Sequence, residues 1–488
     1  MSIEGEIART EAHELHRALG PWQLIALGIG AIIGAGIFVI TGHAAAAYAG
    51  PGVVVSFIIA GLGCLFAGLC YAEFASMIPV AGSAYTYTYA TFTQLNPLLG
   101  RFLAWFIGWN LVLEYLAAAS TVAVGWSGYF VELMAQLGIR IPASLSSAPL
   151  AMNSLTDIGL TGAIINLPAM AVIIIASTLL VVGIRASAQF NSAMVAIKLT
   201  IVVLVIAFGL PLIRSENLTP FIPPNTGTFG EFGWTGVFRA TGVIFFAYIG
   251  FDAVSVAAQE ARNPQRDMPI GILGSLIICT ILYILMSLTM TGLAPYTSLN
   301  VPHPVFVAIE NAGPQLAWLG FLVNVGAVVG LASVVLVLLL GQSRIFYAMS
   351  RDGLFFTIFS DVHPTFRTPW IGTIITGVFA ALLAGFVPLG ILGELVSIGT
   401  LLAFAIVCAA VLVLRVSVPD AKRPFRAPAV WIVAPLGILM CAFMMRFLPG
   451  DTWLRLLVWT IIGVGIFAAY GYWNAKPPQW VLQKQPAE

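Results

Sequence analysis

Gly28-Ile29-Gly30-Ala31-Ile32-Ile33-Gly34-Ala35-Gly36-Ile37-Phe38 is the stretch on which the reading of this chain turns. It is apolar enough for a membrane but poorly suited to an unbroken helix. Four of its glycines fall within nine residues, and each weakens a helix by roughly 1 kcal/mol relative to alanine. They also strip side chains from a short segment, so a ligand can approach the backbone. A second stretch, Gly242-Val243-Ile244-Phe245-Phe246-Ala247-Tyr248-Ile249-Gly250-Phe251-Asp252, sets a glycine and an acid midway along another apolar run. Small residues in membrane helices commonly serve close packing, and Gly30 with Gly34 fits GxxxG. The placement of the two stretches argues for more. They lie in the first and sixth apolar runs, five helices apart. A five-helix unit repeated once must be inverted, because five is odd. Interrupted helices at matching places in two such repeats point to a ligand site between them.

Composition supports a membrane setting. Hydrophobic residues make up 60% of the 488 residues and charged residues 8%, with a mean hydropathy of +0.99. Soluble domains carry roughly 25% charged residues, so a chain this poor in charge cannot cover a surface facing water. A helix needs about 20 apolar residues to cross a bilayer core of roughly 30 Å. Apolar runs bounded by polar, proline or glycine clusters predict twelve spans, at 22–48, 53–77, 98–133, 160–183, 187–212, 235–260, 268–293, 316–348, 370–387, 390–415, 428–448 and 453–473. The polar first 20 residues have neither the basic start nor the cleavage site of a signal peptide, so the first apolar run is expected to stay in the mature chain. The five cysteines all fall in apolar runs without CxxC spacing and read as buried thiols, with neither disulfides nor metal sites expected.

An even number of spans puts both termini on one side. With the N-terminus in the cytoplasm, fifteen of the 21 basic residues fall on the inner side. Among them are Arg262, Arg266, Arg344, Arg351, Arg415 and Arg423. Five fall outside, and Lys198 is left in mid-membrane. This bias is the positive-inside signal. The net charge of +1 gives no general attraction to nucleic acid.

The interrupted helices also have a chemistry. An unwound mid-membrane turn frees N–H and C=O groups, which are tolerated there only when they line a cavity or are otherwise satisfied. Free N–H groups at a half-helix N-terminus attract a carboxylate. Free carbonyls accept bonds from an ammonium. A zwitterion such as an amino acid presents both groups, so the glycines of span one are expected to meet its carboxylate and the carbonyls of span six its amine.

With these residues in view, the chain resembles the amino acid–polyamine–organocation transporters. The glycine-rich stretch of span one is similar to that family's helix-one signature, and Phe245 to Asp252 to helix six of its cationic amino acid transporter branch. Glu260-Ala261-Arg262-Asn263-Pro264-Gln265-Arg266-Asp267-Met268-Pro269 resembles the loop that follows, and Ser343-Arg344-Ile345-Phe346-Tyr347-Ala348-Met349-Ser350-Arg351-Asp352-Gly353 the end of helix eight. The resemblance implies an all-α integral membrane protein with the LeuT-type fold, in which helices one and six are broken. It divides the chain into a cytoplasmic segment 1–20, inverted repeats 21–213 and 214–415, two extra helices within 416–474 and a cytoplasmic tail 475–488. It implies a multi-pass protein of the plasma or bacterial inner membrane, no enzyme, whose substrate is an amino acid. N–H groups around Gly34, Ala35 and Gly36 would hold the carboxylate, and the carbonyls of Ile32, Phe246, Ala247 and Ile249 the amine. The Phe246 ring would cover the substrate. Several relatives carry threonine where this chain has Ala35, so a hydroxyl is absent while the backbone donors remain.

Lys198 lies about 11 residues into span five, roughly 16 Å from its inner end. Charges at that depth are costly and default to functional hypotheses. In proton-coupled members of the family a lysine here stands where sodium-coupled members bind sodium, which makes the proton the expected coupling ion and leaves no cofactor. The alternative for Lys198 is a permanent charged tie between spans one, five and eight. Glu114 in span three and Asp252 beyond the span-six break could attract the side chain of lysine or arginine. Glu114 could equally partner Lys198 or tyrosine hydroxyls, and Asp252 could cap the second half of span six. Glu73 reads as a structural partner of inner-side arginines and Glu394 as a residue near an outer helix end that meets water, while His43, as a lone histidine more often a packing residue than a ligand, is left unassigned. The rival carriers are an exchanger or a polyamine carrier without net proton coupling. An intramembrane enzyme is disfavoured because HExxH and GxSxG are absent, and a channel because two unlike broken helices in one chain suit alternating access better than a pore ring.

Overall fold

A computed structural model describes residues 19–78, 83–93, 95–152, 158–183, 188–256 and 261–475. Most of the terminal segments 1–20 and 475–488, and Glu260 of the loop motif, lie outside the described residues.

Each of the twelve expected spans contains helix. Span one begins at Pro21–Ile32, whose proline occupies the first helical turn and whose leading Gly20 N–H donates to the Gln23 side chain. Proline suits that position because its missing N–H has no helical partner there anyway. The helix stops at Ile33 and Gly34, resumes, and runs through wide turns at Gly36–Ile40 and Ala45–Ala49. Span two is Val53–Met77, span three Pro97–Gln136, span four Leu167–Val182, span five Ala188–Gly209 and span seven Pro264–Leu293. Spans eight to twelve are Ala317–Arg351, Trp370–Phe386, Leu389–Ser417, Val430–Phe447 and Gly450–Ile466, the last continuing to Asn474. Span six is Gly233–Ile244, a tight turn at Phe245–Tyr248, a break, and Ala253–Val256.

Several boundaries differ from expectation for local reasons. Span four starts at Leu167 rather than 160. Ile158–Leu160 instead pairs antiparallel with Leu150–Met152, Gly162 takes a positive φ of 83°, and Asn166 caps the helix by accepting the Ala169 N–H at 3.2 Å. Two short helices were not anticipated, Ser83–Thr93 between spans two and three and Pro304–Ala312 between spans seven and eight. Neither is long enough to cross a bilayer, and hydropathy alone does not mark them. Spans three and eight run on past the expected apolar limits to Gln136 and Arg351.

The core lies where spans one and six are wrapped by two, three, seven, eight and ten. Span three packs along span eight, span two along span seven, and span seven against the first half of span one. Lipid offers apolar side chains the same environment as a neighbouring helix, so such contacts depend on close packing by small residues. Gly326 and Gly330 illustrate this in span eight. A Cβ on Gly330 would lie 2.5 Å from Cγ of Lys198, and one on Gly326 would collide with Ile201. Large apolar side chains such as Ile175, Val203, Ile281, Phe379, Leu439 and Ile461 are exposed along the outer faces, as a lipid-facing surface requires. Trp22, Trp234, Trp431 and Trp473 are exposed near helix ends, where indole rings settle at membrane interfaces.

Candidate functional site

The two breaks face each other with backbone against backbone. A Cβ on Gly36 would lie 2.3 Å from Cα of Ala247, and one on Gly250 would lie 2.7 Å from the Ala31 carbonyl. Gly250 also adopts a φ of 115°, a left-handed conformation that favours glycine. The contact therefore needs glycine on both sides. Ile33 leaves the helix with ψ 99° and Ile249 with ψ 136°, so each helix ends in an extended residue before it restarts.

The restart in span one exposes donors. The N–H groups of Gly34, Ala35 and Gly36 have no hydrogen-bond partner among the described residues, as expected at the first turn of a helix. Gly34 and Ala35 are buried. The carbonyls before the break are engaged. Lys198 Nζ donates to the Gly30 carbonyl at 2.8 Å and the Ile33 carbonyl at 3.1 Å. The hydroxyl of Tyr283 in span seven lies 2.8 Å from the Ile32 carbonyl and 2.7 Å from the Ala247 carbonyl. It has one proton to share between them, so it links the two breaks directly. In span six the Phe246 carbonyl accepts the Ile249 N–H at 3.1 Å. The Ile32, Ala247 and Phe246 carbonyls each keep a second lone pair.

Phe246, Ala247 and Ile249 are buried at this junction, with Phe246 at 6% exposure. Ala332 and Ser333 immediately precede Val334, whose methyl groups would meet a Cβ on Gly34 at 3.4 Å. Glu114 and Asp252 are buried in the same region and close enough to interact, with Tyr71 and Tyr115 near both. Glu114 sits beside Thr400, and its Oε2 has no hydrogen-bond partner among the described residues. Lys198 donates to carbonyls, not to Glu114. The Asp252 carbonyl accepts the Ser255 N–H at 2.8 Å and the Ser255 hydroxyl at 2.5 Å, so the residue does begin the second half of span six. Tyr283 was missed by sequence reasoning. Its signal was a tyrosine deep in an apolar span, where the hydroxyl needs a partner.

Other polar residues brace the frame. Glu73 accepts both nitrogens of a bidentate Arg415 at 2.9 and 2.7 Å, lies 3.5 Å from Arg423 and accepts the Ala427 N–H at 2.8 Å. It is the structural partner of arginines expected from the sequence. Glu394 is a correction. It does not simply meet water but is 8% exposed, accepts the Thr452 hydroxyl at 2.8 Å and Arg455 at 3.2 Å, and lies 3.4 Å from the Tyr48 hydroxyl. Span ten begins at Leu389, so Glu394 is already in its second turn, against span twelve. His43 pairs through Nδ1 with Asn300 at 2.9 Å, a packing role. The five cysteines are buried and free.

A mainly helical, multi-span membrane fold with two facing interruptions defines a transporter rather than an enzyme. Residues 19–472 match the family model described as "Amino acid permease", and the chain belongs to that family. It is 45% identical over 477 residues to the "Branched-chain amino acid permease BcaP" of Bacillus subtilis, covering 97% of each chain. It is 44% identical over 468 residues to a "Methylthioribose transporter" of the same organism, covering 96% of each. Similarity to "Cationic amino acid transporter 4, vacuolar" of Arabidopsis thaliana is 38% over 408 residues, covering 84% of this chain and 65% of the relative.

Proposed function

We propose that this chain takes amino acids across the plasma or inner membrane by alternating access, with the proton as coupling ion. The observation that carries the reading is the pairing of the two breaks. Unpartnered N–H groups of Gly34, Ala35 and Gly36 form an anion cradle, and the lone pairs of Ile32, Phe246, Ala247 and Ile249 offer an ammonium its acceptors. Family membership and the name of the branched-chain permease support an amino acid as cargo. The neighbouring acids Glu114 and Asp252, and similarity to the cationic transporters, favour a range that includes lysine, arginine or ornithine. Lys198, in the middle of span five and bonded to the span-one break, is the proposed coupling residue. Its proton would change the hold on Gly30 and Ile33, and with it the tilt of the first half of span one. The repeats are proposed to run over 21–213 and 214–415, with the basic end and both termini in the cytoplasm.

The test is thermal stabilisation of the purified protein against all twenty amino acids, ornithine and polyamines at two pH values, since ligands that bind only the folded state raise apparent stability. Shifts with lysine, arginine or ornithine that Glu114→Gln abolishes support the cationic range. Shifts with neutral amino acids alone mean that the backbone dominates recognition. A response to polyamines and to no amino acid overturns the proposal. Uptake that needs an internal amino acid and ignores pH assigns exchange instead.

A further inference from the structure

Away from the breaks, the basic end of the molecule carries an open groove of about 680 Å3. One wall is the start of span seven, with Gln265, Arg266, Ile270, Leu273 and Gly274. The other is the loop joining spans ten and eleven, represented by Phe425. From Arg266 to Gly274 the groove follows the helix for roughly 12 Å. Polarity changes along that length. Its mouth holds a guanidinium and an amide, and the stretch beyond holds isoleucine and leucine, with a phenylalanine ring on the facing wall. Gly274 at the far end lets span one pack close, because a Cβ there would meet Ile25 at 3.0 Å.

The loop wall is held in place. Arg423 donates to the carbonyls of Leu414, Val418, Pro419 and Ala421 at 2.7 to 3.0 Å. The Phe425 N–H donates to the Ser76 hydroxyl at 3.3 Å, and the Ala427 N–H to Glu73. Arg423 is thus consumed by the loop's own architecture. Arg266 lines the groove and is exposed, Arg426 directly follows the lining residue Phe425, and Lys422 stands on the same loop, both exposed; none of the three makes an ion pair among the described residues. The nearby Asp267 is buried and accepts the Asn263 N–H at 3.2 Å, so its carboxylate is already engaged by the helix start. Asp420 is the one exposed acid on the loop wall.

We propose that this groove binds an anionic phospholipid, with its phosphate on Arg266 and Arg426 and an acyl chain lying against Ile270, Leu273 and Phe425. Guanidinium groups match phosphate oxygens in a bidentate fashion, and basic clusters at the membrane surface attract anionic headgroups. A soluble anion would leave the apolar walls of the groove unused. A zwitterionic lipid would bring a cation to a mouth already rich in cations. The assignment does not depend on which amino acid is carried or on its coupling.

The test uses the full-length, delipidated protein, with phosphatidylglycerol, phosphatidylcholine and inorganic phosphate added separately. Native mass spectrometry reads retained lipid, and thermal melting reads both stabilisation and the folding of each variant. The wild type is expected to retain phosphatidylglycerol at least about tenfold better than phosphatidylcholine. The Arg266→Gln/Arg426→Gln variant should lose that preference, and so should Leu273→Trp, which fills the groove and keeps every charge. Equal retention of the two lipids by the wild type overturns the proposal. So does full retention by Leu273→Trp, which would mean diffuse surface attraction. Stabilisation by inorganic phosphate equal to that by phosphatidylglycerol would assign a simple anion site and overturn the lipid.

Discussion

Lys198 donates its ammonium to the Gly30 carbonyl at 2.8 Å, so a charge in the middle of span five is held by the broken end of span one. The bond joins two residues that hydropathy places in separate helices. It gives any change in the charge of Lys198 a direct mechanical route to the break. Lys198→Met keeps the stem that packs on Gly330 and removes the charge. The expected outcome is loss of pH-dependent accumulation in proteoliposomes, with substrate-induced thermal stabilisation retained. Accumulation that keeps the same pH dependence in this variant would sink the coupling role.

Tyr283 is the next lever. Tyr283→Phe removes one hydroxyl and leaves the ring packed against Phe57 and Tyr248. A net hydrogen bond contributes about 1–1.5 kcal/mol, which corresponds to roughly a fivefold to tenfold loss of apparent substrate affinity. Titration of substrate-induced melting shifts measures this directly. A variant with unchanged affinity and uptake would show that the link between the breaks is dispensable.

The glycines of span one are expected to differ in kind. Gly36→Ala would place a methyl 2.3 Å from Cα of Ala247, whereas Gly34→Ala would meet Val334 at 3.4 Å. Overpacking costs about 1–3 kcal/mol, so Gly36→Ala should melt lower and transport poorly. Gly34→Ala should fold close to normally. Equal melting temperatures for the two variants would contradict the close backbone contact.

Glu73 is predicted to matter for stability and not for substrate choice. Removing it in Glu73→Ala leaves Arg423, 1% exposed at its side chain, and Arg415 without their carboxylate. Breaking a buried pair from one side costs about 3–5 kcal/mol. Thermal unfolding should show a large drop, while the order of preference among amino acids stays the same.

His303 gives a pH signature outside the membrane spans. It precedes the short helix Pro304–Ala312, and burial lowers its imidazole to about 4. Between pH 6.5 and 4 the unfolded chain binds the proton and the folded chain does not. Stability from this residue is therefore complete above 6.5 and is lost as pH falls toward 4, by at most about 3 kcal/mol. Melting curves across that range should slope less steeply for His303→Gln than for the wild type. Parallel slopes would remove His303 as the source.

Reading the sequence recovered the spans because hydropathy depends on composition over about 20 residues, and it located both breaks because glycine weakens helices wherever it stands. It did not reach what depends on distant partners. Nothing local to Tyr283 says that its hydroxyl sits between residues 251 and 36 positions away. Glu394 was misread for the same reason, although Thr452 and Arg455 are spaced to share one face of span twelve and were available as partners. The short helices at Ser83–Thr93 and Pro304–Ala312 escaped because a hydropathy reading tuned to crossing length passes over segments of nine to eleven residues.

The meeting of Gly36 with Ala247, and of Gly250 with Ala31, has an evolutionary consequence. Where two main chains touch, point mutation has little to work with, because it exchanges side chains and leaves N–H and C=O groups in place. With the site as proposed, altered cargo would arise through the surrounding side chains, among them Phe246 and Glu114. Relatives that share 44% and 45% of their residues with this chain carry names for a thiosugar and for branched-chain amino acids. Such divergence in cargo over a common scaffold is what side-chain change around a constant main-chain contact would produce.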